Sequence, residues 1–470
     1  MAVFSTIYFA RLERAKRIDG EYYQPKYLML GELYKRGKWL PIRKYLDLCE
    51  YGISIKMNEH GDGQKIFRMD NLKNGFVLDS EMKYAPIDDV TFQKFKLQRN
   101  DILFNRVNSE EFVGRTGIFK LEGNYVFASY LVRLRANSAM SPDTINLFLN
   151  SKYGVLSIKR LSRRAVNQAN VNAQELQSIL MPRFSSAFQG TLTRFSERSW
   201  GLYAEADELY TQAEQLLLSE LGLQDWRPSN TLAYVKSYNQ ASRARRIDAE
   251  HFQPKYEELR THICNYPHGY LKITDTATNS DETIEPRTHS EQEFNYIELA
   301  NVNQGIGMVE SANKTKGKDM PSRARMFLRT GDVIASTVEG SLDKVALVSE
   351  EYHGAIGSTG FFVLRPRTVP SGYFLALTKS IVVREQMRCE SSGTILAAVP
   401  AKSLRNIIIP NIPLDMRDMI SQMVQQSHRA RREAKVILEK AKHAVEIAVE
   451  EGEAKATDFM NSGEQAMRQS

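Results

Sequence analysis

Apolar positions follow two rhythms along this chain. From residue 185 to 226 and again from 413 to 452 they recur with a three-four spacing and no internal proline after the first residues, which predicts two long helices. In the first, Leu192, Phe195, Leu202, Ala206, Leu209, Ala213, Leu216 and Leu223 form a heptad seam interrupted by Ser199 and Glu220. In the second, Ile420, Met423, Ser427, Ala430, Ala434, Ile437, Ala441, Ala444 and Ala448 do the same, with small residues that admit a close partner helix. Gly201 is a weak point, costing about 1 kcal/mol relative to Ala. Ahead of each helix the rhythm changes to short runs, "DILF", "YLVRLR", "DVIAS" and "GFFVLR", whose β-branched and aromatic content predicts strands. Gly61, Gly63, Gly75, Asn100, Gly305, Gly307 and Gly331 punctuate them as turn residues.

The same order of elements occurs twice. "KRIDGEYYQPKY" (Lys16 to Tyr27) returns as "RRIDAEHFQPKY" (Arg245 to Tyr256), "LQRNDILFNRV" (Leu97 to Val107) faces "LRTGDVIASTV" (Leu328 to Val338), and "LQSILMP" (Leu176 to Pro182) faces "LRNIIIP" (Leu404 to Pro410). The period is near half of the 470 residues, so this is a tandem pair and no solenoid of short repeats. Each half predicts a mixed α/β (α+β) globule followed by a long helix. Paired antiparallel as a coiled coil, helices of about 40 residues would make a rod of roughly 60 Å that separates the globules. The alternative is an ordinary amphipathic helix packed on its own domain. The expected divisions are 1–39 as an opening segment, 40–184 as a first domain, 185–226 as a spacer helix, 227–269 as a linker with the second opening motif, 270–412 as a second domain, 413–452 as a second spacer helix, and 453–470 as a polar tail expected to be poorly ordered.

Composition changes this picture little. A charge of +7 permits a polyanionic partner without demanding one. No run is long and apolar enough for a membrane span, and the opening residues carry their charges after a short apolar patch, the reverse of a secretory signal, so a cytoplasmic location is expected. Cys49, Cys264 and Cys389 form no metal or disulfide spacing and are expected to be core residues.

Where the basic residues lie is more informative. Ser151 to Asn172 contains Lys152, Lys159, Arg160, Arg163 and Arg164 with no acid, and closes in Asn167, Gln168, Asn170 and Asn172. Arginine can contact phosphate or guanine, and side-chain amides pair bidentately with adenine. In the second half Lys314, Lys316, Lys318, Arg323, Arg325 and Arg329 face the single acid Asp319. Two loops at matching places differ in content: Phe104 to Arg115, with Asn105, Arg106, Asn108 and Arg115, and Ala335 to Lys344, with Ser336, Thr337 and Lys344. A shared scaffold with unlike loops suits two modules that read different sequences, although solvated loops diverge in any case. Catalytic signatures are missing: there is no phosphate-binding P-loop, no H-E-x-x-H, no G-x-S-x-G, no N-P-P-Y-like methylation motif and no histidine pair at metal spacing. Asp70 with Glu81 to Lys83 imitates the acid-acid-lysine order of metal-dependent nucleases, a three-residue match that recurs by chance.

The doubled R-I-D-x-E-[YH]-[YF]-Q-P-K-Y motif, the paired "gDi" turns and the "QANVN…ILMP" closure together resemble the specificity subunit of type I restriction-modification systems, over nearly the whole chain. The resemblance implies two target-recognition domains, each followed by a long helix of an antiparallel coiled coil with Leu202, Leu209, Leu216, Ile420 and Ile437 on its seam. It implies double-stranded DNA as ligand and no catalysis by the chain itself. Two methyltransferase subunits would use S-adenosylmethionine, and restriction and translocase subunits would use ATP and Mg2+. The second half departs from the closing pattern: Leu396, Ala397 and Ala398 stand where Gln168, Ala169 and Asn170 stand in the first, so Ser391, Ser392 and Thr394 are its weaker candidates. Two other readings are a stand-alone nuclease or modification enzyme carrying these modules, and a non-catalytic nucleic-acid-binding scaffold, such as an RNA-binding protein using the same basic globules.

Overall fold

The computed structural model describes residues 5–8, 17–35, 37–165, 168–228, 230–393 and 396–467. The chain divides into two compact units, Met1–Leu202 with Arg432–Ser470, and Tyr203–Arg431. Each long helix, Ser186–Glu220 and Leu414–Glu451, gives one end to each unit.

In the first unit a six-stranded sheet runs in the order Leu46–Tyr51, Leu131–Ala136, Ile102–Asn105, Thr116–Ile118, Phe76–Val77, Leu72–Lys73. Ile102 lies opposite both Leu134 and Ile118 in the middle of the sheet. A three-stranded sheet of Tyr125–Phe127, Gln64–Phe67 and Lys83–Ala85 stands beside it, where Phe67 stacks on Tyr125 at 4.9 Å. The domain is closed by its own ends: Trp39–Pro41 pairs antiparallel with Leu180–Pro182.

The second unit repeats this plan. Its six-stranded sheet runs Ala277–Asn279, Phe361–Pro366, Val333–Ser336, Val345–Leu347, Met308–Val309, Val302–Asn303, and Val333 lies opposite both Leu364 and Leu347. A four-stranded sheet replaces the three-stranded one, its extra edge strand being Ala324–Phe327. Tyr270–Lys272 pairs with Ile408–Pro410. The fold is thus a mixed helix and strand architecture with two sheet-rich domains.

The doubled "gDi" turns have a structural purpose. Asp101 is buried, accepts the Gln98 amide at 2.8 Å, and takes a bidentate pair from Arg135 at 2.7 and 2.8 Å. Asp332 does the same with the Arg329 amide and Arg365. A carboxylate under the sheet is tolerable because both of its oxygens are paired.

Within each unit the two long helices run antiparallel. Ser199 Oγ donates to the Ala434 carbonyl in the first unit, and Ser427 Oγ donates to the Ala206 carbonyl in the second. The buried line of the first helix is Leu192, Ser196, Ser199, Tyr203, Ala206, Tyr210, Ala213, Leu217, a regular heptad. It passes one residue beyond the expected seam, so Leu202, Leu209 and Leu216 are only half-buried flanks. The apolar body of Tyr203 and Tyr210 packs in the seam, and Ser199, expected to interrupt it, satisfies its hydroxyl on a neighbouring helix carbonyl. Ile420 and Ile437 are buried as expected. Arg431 also lies in the seam, its guanidinium over the Tyr203 ring and bonded to Asp207, and desolvation lowers its pKa.

Two expectations fail. The tail forms a helix, Glu453–Met467, which turns back at Gly452 (φ +99°) and buries Ala456 and Met460 against the second long helix, where Lys440 Nζ donates to the Met460 carbonyl at 2.8 Å. Two apolar residues four apart make a sufficient face for one contact, too narrow to stand out in a polar segment. The cysteines are not core residues: Cys264 is exposed and Cys49 and Cys389 are half-buried, with burial pushing the Cys389 thiol up to about 12. Among the described residues no helix is long and apolar enough to cross a membrane.

The domains meet the long helices differently. In the first unit the buried Lys120 bridges Asn100, Asp143 and Glu197 of the first long helix, at 2.8, 2.9 and 2.6 Å. In the second unit Gly372 stands where Asp143 stands in the first, and a Cβ built on it would lie 2.9 Å from the Ser421 carbonyl oxygen and 3.1 Å from its Cα. Gly372→Ala should therefore destabilise by about 1–3 kcal/mol through overpacking, whereas Gly201→Ala, with open space around it, should stabilise by about 0.5–1 kcal/mol. Chemical denaturation midpoints of the two variants would move in opposite directions.

Candidate nucleic-acid interface

The amide-rich segment of the first half folds back on itself. The helix Lys152–Leu161 ends at the buried Ser162, and Arg163–Ala165 then pairs antiparallel with Gln168–Asn170. A third strand, Val107–Asn108, comes from the loop after the central strand, with Asn170 opposite Val107 and Ala169 opposite Asn108. Two segments about 60 residues apart are thereby joined in one small sheet.

The pleat sorts their side chains. Residues directly opposite share a face, so Arg163 lies with Asn170, and Gln168, two residues before Asn170, lies on that face as well. Ala169, between them, is buried on the other face, where Asn108 Nδ2 meets Met69 Sδ at 3.1 Å. Arg163 and Gln168 are exposed and Asn170 is half-exposed. The outer face thus offers one guanidinium and two amides. Glu175 orients Arg163 at 2.8 Å. Arg164 is in register with Ala169; its side chain and all of Asn167 lie outside the described residues.

Other candidates are used internally. Asn172 is the N-cap of the helix Ala173–Ser178, accepting from the Glu175 amide while Glu175 accepts from its own. Asn105 is fully buried and donates to the Phe112 carbonyl, pinning the loop. Arg106 lies over the Tyr51 ring at 4.8 Å and donates to the Ser129 carbonyl. Arg160 lies over the Tyr22 ring at 4.3 Å. Lys159 bonds the carbonyls of Glu110, Glu111 and Val113. Arg115 is exposed and lies over Phe112 at 4.0 Å, its pKa lowered by desolvation.

The second half has a reduced version of the same sheet. Ala398 bridges Val338 on one side and Ser392 on the other, matching Asn170 between Val107 and Arg163. Ser392 is exposed and Leu396 stands out in solvent at 63%. Ser391 is buried and bonds the Met387 carbonyl, Ser336 is buried against Ser341, Thr337 bonds the Gly360 carbonyl, and Lys344 reaches the Val302 carbonyl at 3.4 Å. Thr394 lies outside the described residues.

The basic cluster of the second half sits on the sheet that gained a strand. Lys314 and Lys316 occupy its other edge strand, Asn313–Lys316; Lys316 and Lys318 share Glu291 at 3.0 and 2.8 Å and lower its pKa. Arg325 pairs with Glu285 and Arg329 with Glu282. Lys314 and Arg323 are exposed and take part in no ion pair among the described residues. The nuclease-like order dissolves: Asp70 pairs with Arg68 and Lys83 with Glu59. No group of three or more His, Cys, Asp or Glu side chains among the described residues could hold a metal ion.

Sequence reasoning overlooked Glu175, which both caps a helix and aims Arg163. Its place three residues after Asn172 is a capping-box spacing that could have revealed it. Exchanging these amides separates support from display: Asn172→Ala should lose about 1 kcal/mol, and Asn170→Ala should stay within about 0.5 kcal/mol of the parent, both measured by denaturation.

No family model matches the chain. It is 28% identical over 185 residues to the type I restriction enzyme EcoKI specificity subunit of Escherichia coli K12, an alignment covering 38% of this chain and 39% of that protein. It is 25% identical over 156 residues to the type I restriction enzyme MjaX specificity subunit of Methanocaldococcus jannaschii, covering 33% and 37%. These alignments span about two fifths of each relative. Among solved structures, the S subunit of a type I restriction-modification system from M. genitalium aligns with TM-score 0.40 and 14% identity over 89% of this chain and 96% of that one. By sequence, then, the chain is similar to specificity subunits of type I restriction enzymes.

Proposed function

We propose that this protein is the DNA sequence-recognition subunit of a type I restriction-modification complex. Each of its two domains would read one part of a split target, and the chain would carry no catalysis of its own. The observation that carries this reading is that the small three-stranded sheet of the first half has a reduced counterpart, two bridges through Ala398, at the matching place in the second, with different side chains on it: Arg163, Gln168 and Asn170 in one, Ser392, Leu396 and Ala398 in the other. A common frame with exchanged display residues is what two modules with different base preferences need. Amides and a guanidinium suit bidentate contacts to adenine and guanine edges, each contributing about 1–3 kcal/mol of discrimination. A hydroxyl with apolar neighbours suits other edges, including the thymine methyl.

Phosphate contacts would supply affinity without sequence preference. Lys314 and Arg323 are the best placed for this in the second domain, because the neighbouring bases already have acidic partners. Adenine methylation with S-adenosylmethionine would belong to methyltransferase subunits, and cleavage with ATP and Mg2+ to restriction and translocase subunits. The exposed Ile18 and Ile247, at matching places in the two opening motifs, are a pair of apolar sites on which such partners could dock.

Single-molecule sequencing of host DNA with and without the gene tests the reading directly. The expected result is loss of adenine methylation at a two-part motif, and persistence of every methylated motif would refute it. Gln168→Ala with Asn170→Ala should relax one part of that motif and leave the other unchanged. In salt titrations of the purified complex on its target duplex, Lys314→Ala with Arg323→Ala should flatten the slope of log K against log salt by about 2, near 0.9 for each lost phosphate contact.

A further inference from the structure

We infer that Arg17 and Arg246, the arginines of the doubled opening motif, are positioning residues that clamp the base of each domain's hairpin and thereby hold its display residues in place. This rests on the reading of the hairpins as the recognition elements.

A helix leaves its last carbonyls without partners, and they require a donor where water is excluded. Each hairpin starts directly from such an end: Lys152–Leu161 leads through the buried Ser162, and Ile381–Glu390 through the buried Ser391. Arg17 Nη1 donates to the Leu161 carbonyl at 2.9 Å. Arg246 donates to the Cys389 carbonyl at 3.2 Å and to the Ser391 carbonyl at 2.6 Å. These contacts cross more than 140 residues of sequence in each half.

The guanidinium is itself held. Arg17 makes a two-pronged pair with Asp19 at 2.8 and 2.9 Å, and Arg246 with Asp248 at 2.8 and 2.6 Å. Asp19 also accepts the Tyr22 amide at 3.1 Å. Only a planar fork can grip a carboxylate with two N–H groups and still present another to a carbonyl, which a lysine ammonium does not reproduce. With side-chain exposures of 14% and 20%, the two arginines are mostly covered, so they are poor phosphate contacts despite their charge.

The neighbouring contact changed in concert between the halves. In the first, the Tyr22 ring lies between Arg17 at 4.7 Å and Arg160 at 4.3 Å. In the second, His251 and Cys389 stand in place of Tyr22 and Arg160, and His251 Nδ1 sits 2.8 Å from the Cys389 carbonyl. The ring position and the helix-end position differ together, while the arginine and aspartate are the same in both halves. The repeated arginine and aspartate therefore serve the clamp, and the exchanged pair fits it to two different helix ends.

The test uses the full chain and its own duplication as control. In amide hydrogen exchange, Arg17→Lys should accelerate exchange about tenfold or more across residues 163–171 and leave 391–399 unchanged, and Arg246→Lys should do the reverse, since a charge-assisted hydrogen bond is lost at one base only. Asp19→Asn, which keeps the arginine but frees it, should give a smaller increase at the same place and guards against a global folding defect. In host DNA, Arg17→Lys should degrade methylation specificity in one part of the motif. Unchanged local exchange overturns the clamp whatever the methylation shows. Accelerated exchange with an intact methylated motif overturns the link from clamp to specificity. A parent chain that directs no methylation refutes the proposed function while the exchange result still decides the clamp.

Discussion

The antiparallel helix seam is the constraint on which the rest of each unit depends, and its register is set by polar groups. Apolar knobs alone tolerate slippage, because one leucine fits a hole much as another does. A buried serine does not: Ser199 must find the Ala434 carbonyl and Ser427 the Ala206 carbonyl, or lose a hydrogen bond in a dry seam. Arg431, held between Tyr203 and Asp207, adds a charge that only one register accommodates. Each domain is then attached to this fixed line, through the paired charges of Lys120 in the first unit and through the side-chain-free approach of Gly372 to Ser421 in the second.

Duplication and divergence fall on different parts of the fold for a physical reason. Several of the repeated residues have buried obligations. Asp101 and Asp332 each satisfy a turn amide and an arginine, and Arg17 and Arg246 each close a helix end. Their removal would leave charges or carbonyls unpaired, so the frame has little freedom. The outer face of the hairpin carries no such obligation. Asn170 can stand as Ala398 because strand pairing runs through the backbone and is indifferent to the side chain above it.

The frame was legible and the seam nearly so. A doubled motif, strand-like runs bounded by turn residues and two proline-free heptad stretches led to two mixed domains with long helices. Alternate positions of the seam were displaced by one residue, Tyr203 and Tyr210 being buried beside the expected Leu202 and Leu209 because their rings pack. The tail helix was missed because Ala456 and Met460 make too small a face to register in sequence. In the candidate interface, composition drew attention to one segment and could not divide it. Gln168, Asn170 and Asn172 look alike as letters, yet one caps a helix and the others stand on an open strand face.

The sequence by itself determined the repeat, the class of each element and the chemical types gathered near the hairpins, since these follow from local periodicity and from spacing along the chain. Only the tertiary structure decided which of those residues are available to a ligand. Whether an arginine faces solvent or a helix carbonyl, as Arg163 and Arg17 do respectively, depends on a partner that can lie more than a hundred residues away. Periodicity within a segment carries no record of that distant contact.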